Sequence, residues 1–467
     1  MQLFEGIEKF GDQIALLETD RAEVSFRSLT SISDKVASHI DQRSLVFCLT
    51  SNTVESVIGY VGFQRAGHVC LMLNSKIDEE KLLELIESFE PNYVWAPSSR
   101  KLVDELSVAY VLNQYKLVKT GGKVHRLHTD LSLLMGTSGS TGSPVMVRQS
   151  VMNLESNARS IIQSLGLSRD DRAVTTLPMN YTYGLSIINS QLLTGGSLVM
   201  SESTLMDRTF WDQIEVHRPT YFGGVPYTYE MLNRIGLKKL GGTSVRMLTQ
   251  AGGKLSSNLV SKIANECNEL DIQFCVMYGQ TEATARMSVL PSNEVIQHPE
   301  SIGRPIPGGI FKVVDLESGE EVGTGEVGEL VYSGPNVAMG YATSSDDLGR
   351  EDEFNQLLPT GDLAKFDNKG LVYIVGRKKR FIKIYGNRIN LEDVDNYLNR
   401  NGYEAVCTGK DDGLIVNVVS SSTKKTLVDE VARFLGVHKS SISMREIDSI
   451  PRNDSGKILF SEIERLG

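Results

Sequence analysis

The sequence predicts an α/β protein: a large N-terminal domain of doubly wound sheets carrying a β-rich subdomain, then a small α+β C-terminal domain. Three observations lead there. Downstream of residue 45, short apolar segments alternate with amphipathic ones, the pattern of parallel strands joined by helices. Near residue 300, glycine and proline crowd together at Gly303, Pro305, Pro307, Gly308 and Gly309, and short strand patterns such as 328–332 follow, which suits β structure with tight turns. At Gly376-Arg377-Lys378-Lys379-Arg380 the texture changes again. That sets the expected boundary: residues 1–376 form the first domain, its β-rich part over about 300–376, and 377–467 form the second.

The elements follow in order. Residues 45–49 read as a strand, 54–65 as a helix, 69–73 as a strand, 79–89 as a helix and 93–96 as a strand. Within 79–89, Leu82, Leu83 and Ile86 share one helical face, which is core patterning. The apolar run 131–135 reads as a buried strand. Helix 152–165, strand 172–177, helix 185–193 and strand 197–200 continue the alternation, and 220–222, 245–249 and 272–277 are further strands. Beyond the boundary come strand 381–385, helix 391–399, strand 414–419, helix 425–435 and a closing helix 458–466.

Composition narrows the function classes. The 467 residues carry a net charge of -10, so no overall electrostatic case for nucleic acid exists. No apolar segment approaches the length of a membrane span, and the start, Met1-Gln2-Leu3-Phe4-Glu5-Gly6, lacks the basic and apolar stretches of a secretory leader. Cys48, Cys70, Cys267, Cys275 and Cys407 are scattered and never spaced as C-x-x-C. Reduced thiols in a cytoplasmic protein are the expectation.

The segment around which the chain is organised follows the strand at 131–135. It reads Gly136-Thr137-Ser138-Gly139-Ser140-Thr141-Gly142-Ser143-Pro144. Small residues let backbone N–H groups converge, and hydroxyls add donors without bulk, so the run suits an anion such as a phosphate. It is not the P-loop of nucleoside triphosphatases, because Ser143 and Pro144 follow Gly142 where that motif needs Lys and Ser/Thr. Read alone, the same run also suits a plain Gly/Ser loop.

Four further segments carry chemistry. Pro178-Met179-Asn180-Tyr181-Thr182-Tyr183-Gly184 lies between a strand and a helix, where ligands bind in open α/β sheets. Gln250-Ala251-Gly252-Gly253-Lys254 follows another strand, and its paired glycines permit close approach of a flat ligand. Tyr278-Gly279-Gln280-Thr281-Glu282 offers a ring for stacking and a hard carboxylate for Mg2+. Thr360-Gly361-Asp362 presents a carboxylate able to accept both ribose hydroxyls. Taken singly, each also reads as an ordinary turn or core segment.

Together and in this order the segments resemble the adenylate-forming (AMP-binding) enzymes: acyl-CoA synthetases, peptide-synthetase adenylation domains and luciferases. Gly376-Arg377 resembles the family's hinge, Lys383-Ile384-Tyr385-Gly386-Asn387-Arg388 its pantetheine-side stretch, and Pro451-Arg452-Asn453-Asp454-Ser455-Gly456-Lys457 its terminal motif. The resemblance spans roughly residues 10 to 467. It implies ATP and Mg2+ as cofactors, CoA or phosphopantetheine as acceptor, and a mobile C-terminal domain. It also implies roles. Thr137 to Gly142, Gly252, Gly253, Tyr278, Gly279, Gln280, Thr281, Asp362 and Arg377 would bind ATP or AMP. Lys457, Thr281 and Glu282 would be catalytic, with Glu282 on the metal. Tyr181, Tyr183, Gly252 and Met287 would line the acyl pocket. Lys379 would be the hinge, with Lys383, Gly386 and Arg388 beside the thiol acceptor.

Two departures from the family pattern matter. Peptide-synthetase domains carry Asp where this chain has Thr182, and a neutral residue does not compensate a buried ammonium, which disfavours an α-amino acid. The family's loop lysine is replaced by Val145, with Arg148 the nearest cation to stand in. The expected activity is ATP-dependent activation of a small carboxylic acid through an acyl-adenylate, then transfer to CoA or to an acyl carrier protein. The alternatives left open are a stand-alone adenylation domain for an amino acid and a catalytically impaired nucleotide- or acyl-binding homologue.

Overall fold

The protein is described here from a computed structural model covering residues 2–19, 21–136, 145–385, 387–420, 426–452 and 458–466, without the side chains of Lys379, Asn387, Arg388 and Ser461. Its residues gather into two compact units. Of the described residues, one holds those up to 136, those from 145 to 310 and Tyr332–Leu358; the other holds Phe311–Val331 and those from Pro359 onward.

The first unit is built on two large sheets. In one, the strands Gln273–Tyr278, Met247–Gln250, Tyr221–Gly224, Arg172–Val174, Ser197–Met200 and Ile14–Glu18 run in that spatial order and all in parallel. In the other, Leu131–Gly136, Val69–Asn74, Leu45–Thr50 and Tyr93–Pro97 form the parallel centre. Antiparallel strands close both ends of this second sheet: Met146–Ser150 and Gly340–Ala342 on one side, Tyr115–Lys119 and Ser107–Leu112 on the other.

The uninterrupted apolar strands follow from burial on both faces. Val46 and Cys48 join a core with the helix Val54–Arg65, while Leu45, Phe47 and Leu49 turn to the opposite core with Leu82, Leu85 and Phe89. Val54–Arg65 is buried on nearly every side, Glu55 and Gln64 included, which is why its apolar residues are spread round it rather than striped. Two helix starts are fixed locally. Asp78 accepts from the N–H groups of Glu80 and Lys81, and Ser150 and Asn153 form a reciprocal capping box at the start of Val151–Leu165.

Most residues of a four-stranded sheet of Ile310–Val314, Gly328–Ser333, Leu357–Phe366 and Val372–Arg377 belong to the second unit. It also contains the strands Ala405–Lys410, Gly413–Val419 and Ile442–Ile447, packed with the helices Leu391–Arg400 and Leu427–Leu435 around Val394, Leu398, Val416 and Val431.

The sequence periodicity locates the central elements to within a few residues. It overextends some: strand 172–177 is only Arg172–Val174, strand 381–385 ends at Ile384 before Tyr385 turns to φ 50°, and helix 458–466 is Phe460–Arg465. It passes over the hairpin Ser107–Leu112/Tyr115–Lys119, the N-terminal strand Ile14–Glu18 and the helix Phe26–Ala37. The outer hairpin strand is largely exposed, so it lacks the apolar contrast that marks a strand.

Candidate active site

In the first unit, the C-terminal ends of three parallel strands carry the segments that the sequence singles out. The strand Gln273–Tyr278 delivers Tyr278 and then a tight loop, Gly279 to Ala285, which turns back antiparallel so that Met287 donates its N–H to the Tyr278 carbonyl at 2.8 Å. Gly279 is required here: a Cβ would run into the Ala285 carbonyl oxygen. Thr284 and Ala285 take φ of 55° and 107°, left-handed backbone that a side chain disfavours and that collects at functional loops.

Hydrogen bonds from neighbouring elements hold this loop. Gln149 Nε2 donates to the Thr281 carbonyl at 2.9 Å, and Ala338 N–H to the Glu282 carbonyl at 2.9 Å. Asn336 Nδ2 donates to the carbonyls of Ala283 and Arg286, and Thr284 Oγ1 donates to the Asn336 carbonyl. Two functional groups stand out of this frame. The Thr281 hydroxyl meets that of Thr182 at 3.1 Å. The half-buried Glu282 carboxylate accepts from Tyr341 OH at 3.0 Å. Burial, and then the Glu282 charge, push the Tyr341 phenol well above its ordinary value, so it remains a donor.

Thr182 opens the helix Thr182–Thr194, and Tyr181 occupies its N-cap. The rings of Tyr181 and Tyr183 meet edge-on with centroids 6.4 Å apart. Tyr183 OH is anchored on Thr249, 2.9 Å from the carbonyl and 2.8 Å from Oγ1. Burial raises the Tyr181 phenol to about 12. At the glycine turn, Gln250 Nε2 donates to the Gly253 carbonyl at 2.8 Å. Gly252 has φ 81°, and a Cβ there would meet Tyr181 OH, so the aromatic segment and the glycine turn touch. Met287 is fully buried.

Asp362 and Arg377 are cross-strand partners in the second unit, with Arg377 Nε 3.1 Å from Asp362 Oδ1. Asp362 is buried and Arg377 exposed. Asp362 N–H donates to Thr360 Oγ1 at 3.1 Å, and Thr360 Oγ1 to the Leu330 carbonyl at 2.7 Å. Lys383 is exposed on the hairpin Phe381–Ile384/Asn387–Asn390.

Thr137, Ser138, Gly139, Ser140, Thr141, Gly142, Gly386 and Lys457 lie outside the described residues, as do the side chains of Lys379 and Arg388. The strands flanking the glycine-rich segment are described: Leu131–Gly136 pairs antiparallel with Met146–Ser150.

One expectation is overturned. Arg148 does not stand in for the missing loop lysine. It is fully buried and fully engaged. Its Nε donates to the Tyr341 carbonyl at 3.1 Å and its Nη1 to the Arg350 carbonyl at 2.6 Å. Its Nη2 reaches the carbonyls of Met339 and Glu351 and the Glu353 carboxylate at 2.8 Å. In a strand, residues one apart point to opposite faces, and Arg148 faces the segment 339–353.

The donor set fits a divalent cation bound chiefly through a nucleotide. Among the described residues, no three His, Cys, Asp or Glu side chains converge, while Glu282 offers one carboxylate beside the Thr281 hydroxyl. Mg2+ takes one or two carboxylates and completes its shell with phosphate oxygens and water.

Sequence reasoning passes over Gln149, Asn336, Tyr341 and Arg286. The first three act from remote segments and carry no local signal. Arg286 does carry one: it is the lone charge between Glu282 and the largely apolar Met287–Leu290, just after the Tyr-Gly-Gln-Thr-Glu segment.

Comparison with known proteins places the chain in a family. The family described as AMP-binding enzyme matches residues 3–342. A probable CoA ligase of Humulus lupulus is 25% identical over 96% of this chain and 93% of its own. A feruloyl-CoA synthase of an Amycolatopsis species is 30% identical over 72% of this chain and 70% of its own. In fold, the chain is similar to O-succinylbenzoate coenzyme A synthetase of Bacillus subtilis solved with ATP and magnesium. The TM-score is 0.80 at 23% identity, covering 99% of each chain.

Proposed function

Because this chain belongs to the AMP-binding enzyme family, we propose that it activates a small carboxylic acid with ATP and passes the acyl group to a pantetheine thiol. In the first half-reaction a carboxylate oxygen attacks the α-phosphorus. The bond to the bridging oxygen breaks and pyrophosphate leaves, giving the acyl-adenylate. In the second, the thiol attacks the anhydride carbonyl, the carbonyl carbon–oxygen bond breaks, and AMP leaves with the electron pair.

The observation that carries this reading is the cluster at the strand ends: the Thr182 and Thr281 hydroxyls in contact, with Glu282 held by Tyr341. We assign the two hydroxyls to the α-phosphate. Glu282 would hold Mg2+, which supplies charge neutralisation at the phosphates. The Thr137–Gly142 backbone would cradle the phosphates, Gly252, Gly253 and Tyr278 to Gln280 would border adenine, and Asp362 with Arg377 would take the ribose. Lys457 brings a cation to the oxygens between carboxylate and phosphorus, where charge develops. Tyr181, Tyr183, Gly252 and Met287 wall the acyl group. Residues 377–467 act as a lid swinging at Lys379, with Lys383, Gly386 and Arg388 lining the thiol's approach.

Thr182 supports a plain acid over an α-amino acid. It is buried, neutral and already shares its hydroxyl with Thr281, so nothing there compensates an ammonium. CoA is our primary acceptor, with an acyl carrier protein as the second. Five buried, free cysteines accord with a cytoplasmic setting, and no helix among the described residues is long and apolar enough to cross a membrane.

The test is Lys457→Ala. Carboxylate-dependent pyrophosphate exchange should vanish, while thioester formation from supplied acyl-adenylate persists. Unimpaired exchange refutes the role of Lys457. No exchange by the unaltered protein with any of a broad panel of acids refutes the ligase reading.

A further inference from the structure

Arg286 is the least explained charge in the described structure. It follows the loop of Thr281 and Glu282 and is 2% exposed. Its guanidinium lies over the Tyr183 ring, 4.8 Å from the centroid, and Nη1 reaches only the Met277 sulfur at 3.3 Å. Nε and Nη2 have no hydrogen-bond partner among the described residues. Among the described residues, no carboxylate is paired with it. The titratable groups facing it are Tyr183, Tyr221 and Cys275, and burial holds each in its neutral, protonated form, Cys275 raised to about 11.

A buried, unpaired guanidinium costs folding several kcal/mol, and a purely structural arginine in such a place has its donors satisfied, as those of Arg148 are. The two open donors of Arg286 sit at one specific place. Tyr183, whose face it covers, is edge-on to Tyr181, and Tyr181 touches the Gly252 turn. The reacting end of the pocket lies at Thr182 and Thr281. Tyr181 and Tyr183 flank Thr182 in the chain, and Arg286 lies on the Tyr183 ring beside Met277 and Cys275.

Resting on the ligase reading above, we infer that Arg286 is the anion-binding end of the acyl pocket, and that the acid activated by this enzyme carries a second carboxylate at its far end. Such a carboxylate would accept from Nε and Nη2 side by side, the bidentate geometry that guanidinium favours. It would also neutralise the stored charge. A monocarboxylic acid of the same length would leave both uncompensated.

The test compares acids matched in skeleton but bearing one or two carboxylates: butyrate with succinate, hexanoate with adipate, benzoate with isophthalate. For the best-fitting skeleton, kcat/KM for pyrophosphate release should favour the diacid about tenfold or more. Arg286→Met should lower the diacid value about 100-fold and leave the monoacid within about threefold, with Arg286→Lys in between. Without ligand, Arg286→Met should melt at the same temperature or higher, because an uncompensated buried charge is removed. Preference for monoacids, or an equal loss for both acids with a lower Tm, overturns the inference and makes Arg286 structural. Binding is read separately, as the Tm shift given by each diacid alone. A shift in the unaltered protein that Arg286→Met abolishes, without pyrophosphate release from any acid, upholds the anion site and refutes the ligase reading. Pyrophosphate release with no diacid preference and no shift refutes the anion site alone.

Discussion

Tyr341 OH donates a 3.0 Å hydrogen bond to Glu282 Oε1 across 59 positions of sequence. The strand that carries Tyr341 pairs with Met146–Ser150, the strand that returns from the glycine-rich segment, with Tyr341 opposite Val147. The carboxylate assigned to the metal is therefore oriented by a residue whose own position depends on that returning strand.

Tyr341→Phe should consequently act on metal use. The half-saturating Mg2+ concentration for pyrophosphate release should rise about three- to tenfold, with stability changed by only about 1 kcal/mol, the worth of one partly exposed hydrogen bond. Magnesium titrations of both proteins, alongside urea denaturation, check this. An unchanged Mg2+ requirement would remove Tyr341 from the site.

Gly279→Ala should be severe for steric rather than chemical reasons. The new Cβ meets the Ala285 carbonyl and the Arg286 Cα, backbone on both counts, so no rotamer relieves it. A loss of about 3 kcal/mol or more in urea denaturation, with adenylation abolished, is the expected outcome.

Arg148→Met removes donors from four backbone carbonyls and from Glu353. A destabilisation of about 3 kcal/mol or more follows. Where both proteins are folded, the KM for ATP of variant and parent should differ by no more than about twofold, since the guanidinium does not serve the phosphates. A large rise in Km at unchanged Tm would reverse the assignment.

Acid should destabilise the first unit through His68. The ring is buried beside Arg43 and its proton affinity falls to about 4, while its Nδ1 accepts from Ser44 N–H at 3.3 Å. The unfolded chain takes up the proton near pH 6.5 and the folded one only near 4. The stabilisation is thus intact above pH 6.5 and lost as pH falls from there toward 4, by about 3 kcal/mol at most. Urea midpoints between pH 7.5 and 4.5 should fall less steeply in His68→Gln, whose amide oxygen still accepts from Ser44.

The legible parts of the chain were those where chemistry and local pattern coincide. Strands such as Leu45–Thr50, buried on both faces, announce themselves as apolar runs, and Tyr278 to Glu282 read as a site because one pentapeptide holds a ring, a hydroxyl and a carboxylate. What escaped depends on distance along the chain. Nothing near Tyr341 or Asn336 foretells that they hold a loop more than fifty residues earlier. Arg148 misled because its proximity in sequence to the glycine-rich segment hides the strand alternation that turns it toward residues 339–353.

The burial of Arg148 also bears on how pyrophosphate is held. Between Gly136 and Val147 the sequence has no lysine or arginine, and the first cation beyond is committed to architecture. On the ligase reading, cleaved pyrophosphate then meets no side-chain cation from this stretch to retain it. Its hold on the site is weakened, so exchange by the unaltered protein should persist but need a raised pyrophosphate concentration to reach half its maximum.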